Sequence, residues 1–272
     1  MLKKILQSDR LITTICLVLI CFLAWLYVLS GAGMGMSAWE MTNFSLTPYR
    51  HAGMQMNMPE MGMHLVPWSL QHSLLVLVMW WVMMIGMMLP SATPTILLYE
   101  RVIQHAQKNM QSPRIVPTIY FVAGYLIIWL FFSVFATLIQ WCLEQQDLLS
   151  MMLIANNRWL SGGLLILTGL YQLSPLKTAC LNFCRAPAQF ITDHMQLGKK
   201  GALKMGLRHG VFCLGCCWGL MLLLFVGGVM NLFWIVALSL LVLVEKLFPV
   251  PKKLAVIFNM ALVLWGLVLL MI

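Results

Sequence analysis

Between Arg114 and Glu144 the chain carries no charged residue. A helix rising about 1.5 Å per residue needs about 20 apolar residues to cross the hydrocarbon core of a bilayer, and this run is longer than that. Comparable runs recur along the chain. Residues are 61% hydrophobic and 9% charged, where a soluble domain carries about 25% charged residues. The expected fold is therefore an all-α, polytopic transmembrane helix bundle of about seven spans, with six as the lower count. The spans fall at about 11–30, 70–90, 116–140, 159–174, 209–228, 232–247 and 254–272. The fifth and sixth meet at Gly227-Gly228-Val229-Met230-Asn231, a turn with glycines where the backbone needs positive φ.

The charges set the orientation. With the N-terminus inside, Arg50 and Arg158 are the only two of the 17 Lys and Arg residues placed outside. Such a bias follows the positive-inside rule. It also accounts for the net charge of +9 through basic loops facing anionic lipid, so no nucleic acid is needed as a partner. The first span has a basic start and an apolar run near 20 residues. A cleaved signal peptide has a core of about 7–15, so a retained helix is expected. The organisation is a single membrane domain, 1–272. It carries a methionine-rich external segment, 31–68, and a cytosolic loop, 175–208, with a short helix.

Chemistry concentrates in three places. The first is Cys213-Leu-Gly-Cys216-Cys217-Trp218, with His209 one turn before it and Met221 one turn after. Positions i, i+3 and i+4 share a helix face, so imidazole, thiols and thioether fall on one stripe. Soft donors of this kind suit Cu(I) or zinc. The second is Cys180-x3-Cys184, on a helix expected to start with Ser174 as N-cap and Pro175 at its first position and to end before Pro187. The topology places both groups at the cytosolic face. Reduced thiols persist there, so metal or redox chemistry is favoured over disulfide stapling. Cys16, Cys21 and Cys142 share no such pattern and read as structural.

The third place is methionine-rich. Met54-x-Met56-x-Met58-x2-Met61-x-Met63-His64 lies in the external segment among glycines and prolines. Thioether sulphur binds Cu(I) in an oxidising compartment where thiols would pair. On the second span, Met79, Met83 and Met87 form one ridge, with Met84 and Met88 beside it. They could form a ladder for a soft cation, but packing by flexible side chains is the favoured reading, since methionine is ordinary in a membrane helix. Pro90 and Pro94 are expected to end that span. Glu245 closes the sixth span, paired with Lys246 or Lys177.

Several of these residues also carry a resemblance. The chain resembles the bacterial proteins described as predicted metal-binding integral membrane proteins, some labelled copper chaperone. The carrying motifs are Met83-Met84-x2-Met87-Met88-x-Pro90, Ala123-Gly124-Tyr125-x3-Trp129, Gly169-x-Tyr171-Gln172-Leu173-x-Pro175-x-Lys177-x2-Cys180-Leu181-x2-Cys184-Arg185-x-Pro187, Cys213-Leu214-Gly215-Cys216-Cys217-Trp218-x2-Met221, Val229-Met230-Asn231 and Glu245-Lys246. They span about residues 70–260 and leave out the external methionines. The resemblance implies a multi-span protein of the bacterial inner membrane that binds metal.

The expectation is an integral membrane protein for Cu(I), with zinc as second candidate, serving copper handling, transport or delivery. The recipient would be a cytosolic metal acceptor or a partner membrane enzyme. A nucleotide-binding motif is absent, which excludes pumping driven by ATP hydrolysis within this chain. A membrane thiol oxidoreductase and a non-catalytic accessory subunit are the alternatives, and neither needs the external methionines.

Overall fold

The computed structural model describes residues 2–33, 37–42, 68–106, 115–150, 153–249 and 251–271. The external methionines, Met54, Met56, Met58, Met61 and Met63, and His64 lie outside the described residues. Within them, apart from one isolated antiparallel bridge between Leu149 and Ala155, the secondary structure is helical: α1 Leu2–Leu29, α2 Leu70–Ala106, α3 Ile115–Gln145, α4 Arg158–Gln172, α5 Pro175–Arg185, α6 Pro187–His194, α7 Gly198–Leu222, α8 Leu224–Gly227, α9 Leu232–Leu247 and α10 Lys252–Met271.

The protein is a multi-pass membrane helix bundle. Five helical stretches are long and apolar enough to cross a membrane: Arg10–Leu29, Leu70–His105, Pro117–Gln145, Gly198–Gly227 and Lys253–Met271. A sixth arises if α4 and α5, which meet at a bend of 64°, form one broken span. The expected seven counted α4 and α9 as separate spans. They hold 15 and 16 residues, short of the about 20 that a bilayer core requires. The helix carrying the three thiols also starts earlier than its apolar stretch, at Gly198 rather than near residue 209.

Pro90 and Pro94 do not end α2, which runs through both. An internal proline removes one backbone hydrogen bond and strains the preceding turn. Local hydroxyls bind carbonyls around the break: Ser91 Oγ donates to Met88 O at 2.8 Å and Thr93 Oγ1 to Leu89 O at 3.0 Å. These bonds do not reach the carbonyls the prolines free, those of Gly86 and Pro90, so the helix is held through the break by the packing of its buried residues.

Small residues set the closest packing. A Cβ on Gly206 of α7 would run into the Phe121 carbonyl of α3, and one on Gly124 of α3 would meet the Leu203 carbonyl of α7. The two backbones therefore lie against each other, as helices do in lipid, where close packing replaces the hydrophobic drive. At the other end of α7, Gly228 takes φ +100°. Asn231 then caps α9 by accepting from Phe233 N at 3.0 Å. The methionines Met79, Met83, Met84, Met87 and Met88 all lie in the core, together with Trp80, Tyr99, Phe121, Tyr125 and Trp129.

Candidate metal centre

The stripe on α7 faces inward. His209, Cys213, Cys216, Cys217 and Met221 are all buried. Cys216 Sγ donates to Cys213 O at 3.1 Å and Cys217 Sγ to the same oxygen at 2.8 Å. The thiols are parked on their own helix, which is where short polar side chains in a helix turn when no other partner is offered. Cys217 Sγ also stands 3.8 Å from Met88 Sδ of α2. The methionine face and the thiol stripe, far apart in the chain, therefore touch.

The second thiol pair comes to the same place. Ser174 Oγ caps α5 by accepting from Lys177 N at 3.2 Å, with Pro175 at the first helical position. Cys184 is buried on the inner face of this helix. It lies within electrostatic reach of Cys216 on α7. Cys180 Sγ sits over Gly215, 2.8 Å from where a Cβ would be. The Tyr171 hydroxyl donates to the Gly215 carbonyl and ties α4 to the same turn of α7. Outside the cluster, Lys177 Nζ pairs with Glu245 Oε1 at 2.8 Å and Arg185 Nε donates to Glu245 O at 2.7 Å, so α9 clamps α5 in position. Of the two partners expected for Glu245, the structure selects Lys177.

Lys246 turns the other way. Its Nζ donates to Cys213 Sγ at 2.9 Å and to Ser91 Oγ at 3.0 Å, and the residue is 7% exposed. The Tyr125 hydroxyl donates to Met88 O at 3.2 Å and lies 3.1 Å from Cys213 Sγ. With the single hydroxyl proton spent on Met88, the Cys213 thiol donates to the Tyr125 oxygen and its sulphur accepts from Lys246. Sequence patterns missed this knot. A lysine ending an apolar helix reads as snorkelling to the membrane edge, and nothing local places Ser91 near a thiol.

His209 sits one turn from Cys213 in a cage of rings. Its centroid is 5.9 Å from Phe121, 5.6 Å from Tyr125 and 5.4 Å from Phe190. The residue is 3% exposed, and Nδ1 has no hydrogen-bond partner among the described residues. A buried polar atom left unpaired is costly, so it calls for a specific reason. Cys16 and Cys142 are exposed on the outside of the bundle, and Cys21 is half-buried on α1.

Among the described residues, no three His, Cys, Asp or Glu side chains are arranged to hold a metal ion. The sulphur contact that the geometry does show is between the Cys217 thiol and the Met88 thioether, at 3.8 Å. Structural zinc sites take four ligands in a tetrahedron.

No curated protein and no solved structure matches the chain at a significant level. One family model, described as PpoB2, copper chaperone, matches residues 77–269. The match takes in Met83, Met87, both thiol groups and Lys246, and leaves out the external methionines. That description is consistent with a protein that is not an enzyme. By the extent of that match, the chain belongs to the PpoB2 copper chaperone family.

Proposed function

We propose that the protein is an integral membrane Cu(I)-binding protein that holds the ion between α5 and α7 for transport or for delivery to a partner. The single observation that carries this is the gathering of soft donors from three helices on the α7 stripe: Met88 Sδ of α2 at 3.8 Å from Cys217 Sγ, and α5 with Cys180 seated over Gly215 and Cys184 buried. Isolated packed cysteines have no reason to converge in this way, whereas a soft ion needs donors from both sides. Cys213 and Cys217 extend the site, with Met88 alongside, and Met221, Cys180 and His209 border it. On binding, the thiols leave their backbone acceptors and release their protons, because thiolate is the ligand form.

In this reading the chain lies in the bacterial cytoplasmic membrane with its N-terminus in the cytosol, and α4 and α9 complete a seven-span topology. The positive-inside bias of the loops supports that orientation. Met54, Met56, Met58, Met61, Met63 and His64 capture the ion outside. Met83 and Met87 pass it inward to the thiols, where a cytosolic acceptor or a membrane enzyme collects it. The buried, contiguous methionine face ending at Met88 beside Cys217 supports the relay.

The test is elemental analysis of the purified, reduced protein after anaerobic loading with Cu(I), beside a variant with Cys213, Cys216 and Cys217 changed to Ser. The reading expects near-stoichiometric copper in the first and its loss in the second. Equal copper in both would remove the thiols from the site. A reversible disulfide between Cys184 and Cys216 with no retained metal would instead favour the thiol oxidoreductase.

A further inference from the structure

The last helix packs along α4 rather than along α9, the helix before it in the chain. A Cβ on Gly162 of α4 would stand 2.9 Å from the Gly266 carbonyl oxygen of α10, and one on Gly169 would stand 3.0 Å from that of Asn259. The Asn259 amide also donates to Gln172 O at 3.4 Å. Meanwhile α9 is held toward α5 and α7 by Glu245 and Lys246. The two helices meet through Trp234 and Trp265, whose rings stack at 5.9 Å. Beside that stack a cleft of about 520 Å³ opens between them, over Leu220 of α7. Ala237, Leu241 and Val244 line its α9 side, and Phe258 and Ala261 its α10 side. Ala237 and Ala261 are both exposed, and their single-carbon side chains leave the space open.

The lining and the size decide what fits. Every lining residue is apolar, and an apolar cavity holds no water and offers a polar ligand no partner. The α10 side lies within Lys253–Met271, a stretch apolar enough to cross a membrane, so the surrounding solvent is lipid. From Phe233 to Val244 the cleft follows α9 for about 17 Å of helix axis. A helix about 10–12 Å across would need about 1,300–1,900 Å³ over that length, far more than the cleft holds. A single extended hydrocarbon chain is slim enough. The charge at the mouth is complementary to a lipid headgroup. Lys252-Lys253 opens α10, with Lys253 exposed, and Glu245, next to Val244, is paired with Lys177. Basic residues at this level attract anionic lipid.

We propose that this cleft is a phospholipid site: one acyl chain lies between α9 and α10, and the anionic headgroup sits against Lys253. The site does not depend on the metal reading. The bound chain braces α9, the helix that also holds α5 through Glu245. The test is native mass spectrometry of the full chain, taken from vesicles of phosphatidylglycerol and phosphatidylcholine in equal amounts into mild detergent. The natural chain should keep one lipid through washing, phosphatidylglycerol in preference to phosphatidylcholine. Ala237→Phe and Ala261→Phe, each first shown to be monodisperse, fill the cleft from opposite sides, so one suffices if the other fails to fold. Each should lower the retained lipid about tenfold. Lys253→Glu leaves the cleft open and should keep a lipid while reducing the preference for phosphatidylglycerol several-fold. Lipid retained equally by the Phe variants overturns the cleft as its seat. An unchanged preference in Lys253→Glu overturns the headgroup assignment. A natural chain that keeps no lipid overturns the site, and a dimer that Ala237→Phe breaks overturns it in favour of a second copy on this face.

Discussion

Glu245 and Lys246 are neighbours in sequence and face different partners: Glu245 holds Lys177 of α5 at 2.8 Å, and Lys246 reaches Cys213 of α7 at 2.9 Å. One turn of α9 thus fixes the helix that brings Cys184 and supplies the charge beside Cys213. The Lys177 and Glu245 side chains are 5% and 13% exposed. Removing one member of a buried pair strands the other, at about 3–5 kcal/mol. Lys177→Met is expected to lower stability by about that amount, read from unfolding in mixed detergent micelles. The exchange Lys177→Glu with Glu245→Lys should recover most of the loss. If Lys177→Met unfolds like the natural chain, α9 does not clamp α5.

The α3 and α7 backbones give a second expectation. Gly206→Ala forces a Cβ into the Phe121 carbonyl, and Gly124→Ala forces one toward Leu203. Overpacking against backbone costs about 1–3 kcal/mol. Gly163 of α4 has nothing near its Cβ position, so Gly163→Ala should be neutral or stabilise by up to about 1 kcal/mol. Thermal melts in one detergent, with all three variants side by side, separate the cases. Equal melting temperatures would contradict the close packing.

Met83→Leu and Met87→Leu divide relay from packing. Leucine conserves volume, so each change should cost less than about 1.5 kcal/mol. Loss of the thioether should slow Cu(I) uptake into proteoliposomes several-fold while leaving equilibrium binding at the thiols intact. Uptake at the natural rate in the double variant would assign these methionines to packing alone.

How much of this was legible in the sequence depends on range. Periodicity within one helix was readable, because i, i+3 and i+4 spacing fixes a shared face: the His209 to Met221 stripe and the Ser174 cap both appear where the spacing put them. Pro90 and Pro94 misled, since a proline's cost is local while the packing of Met87, Met88 and Leu89 that holds the helix through it is tertiary. The span count was legible only in part: five stretches qualify, and whether α4 adds a sixth depends on its 64° bend into α5, which is a tertiary fact. Lys246 shows the limit most clearly. Its sequence position says only that a charge ends an apolar run, and its partners, Cys213 and Ser91, come from two other helices.

The most direct measurement is a double-mutant cycle in Cu(I) affinity across Cys184 and Cys216, read by competition with a chromogenic Cu(I) chelator. If the two thiols hold one ion, Cys184→Ser and Cys216→Ser each weaken binding by about 100-fold, near 2.8 kcal/mol. The double variant then loses little more than either alone, since either change already breaks the pair. Losses that simply add, or natural affinity in either single variant, would contradict a shared site and return the two helices to ordinary packing partners.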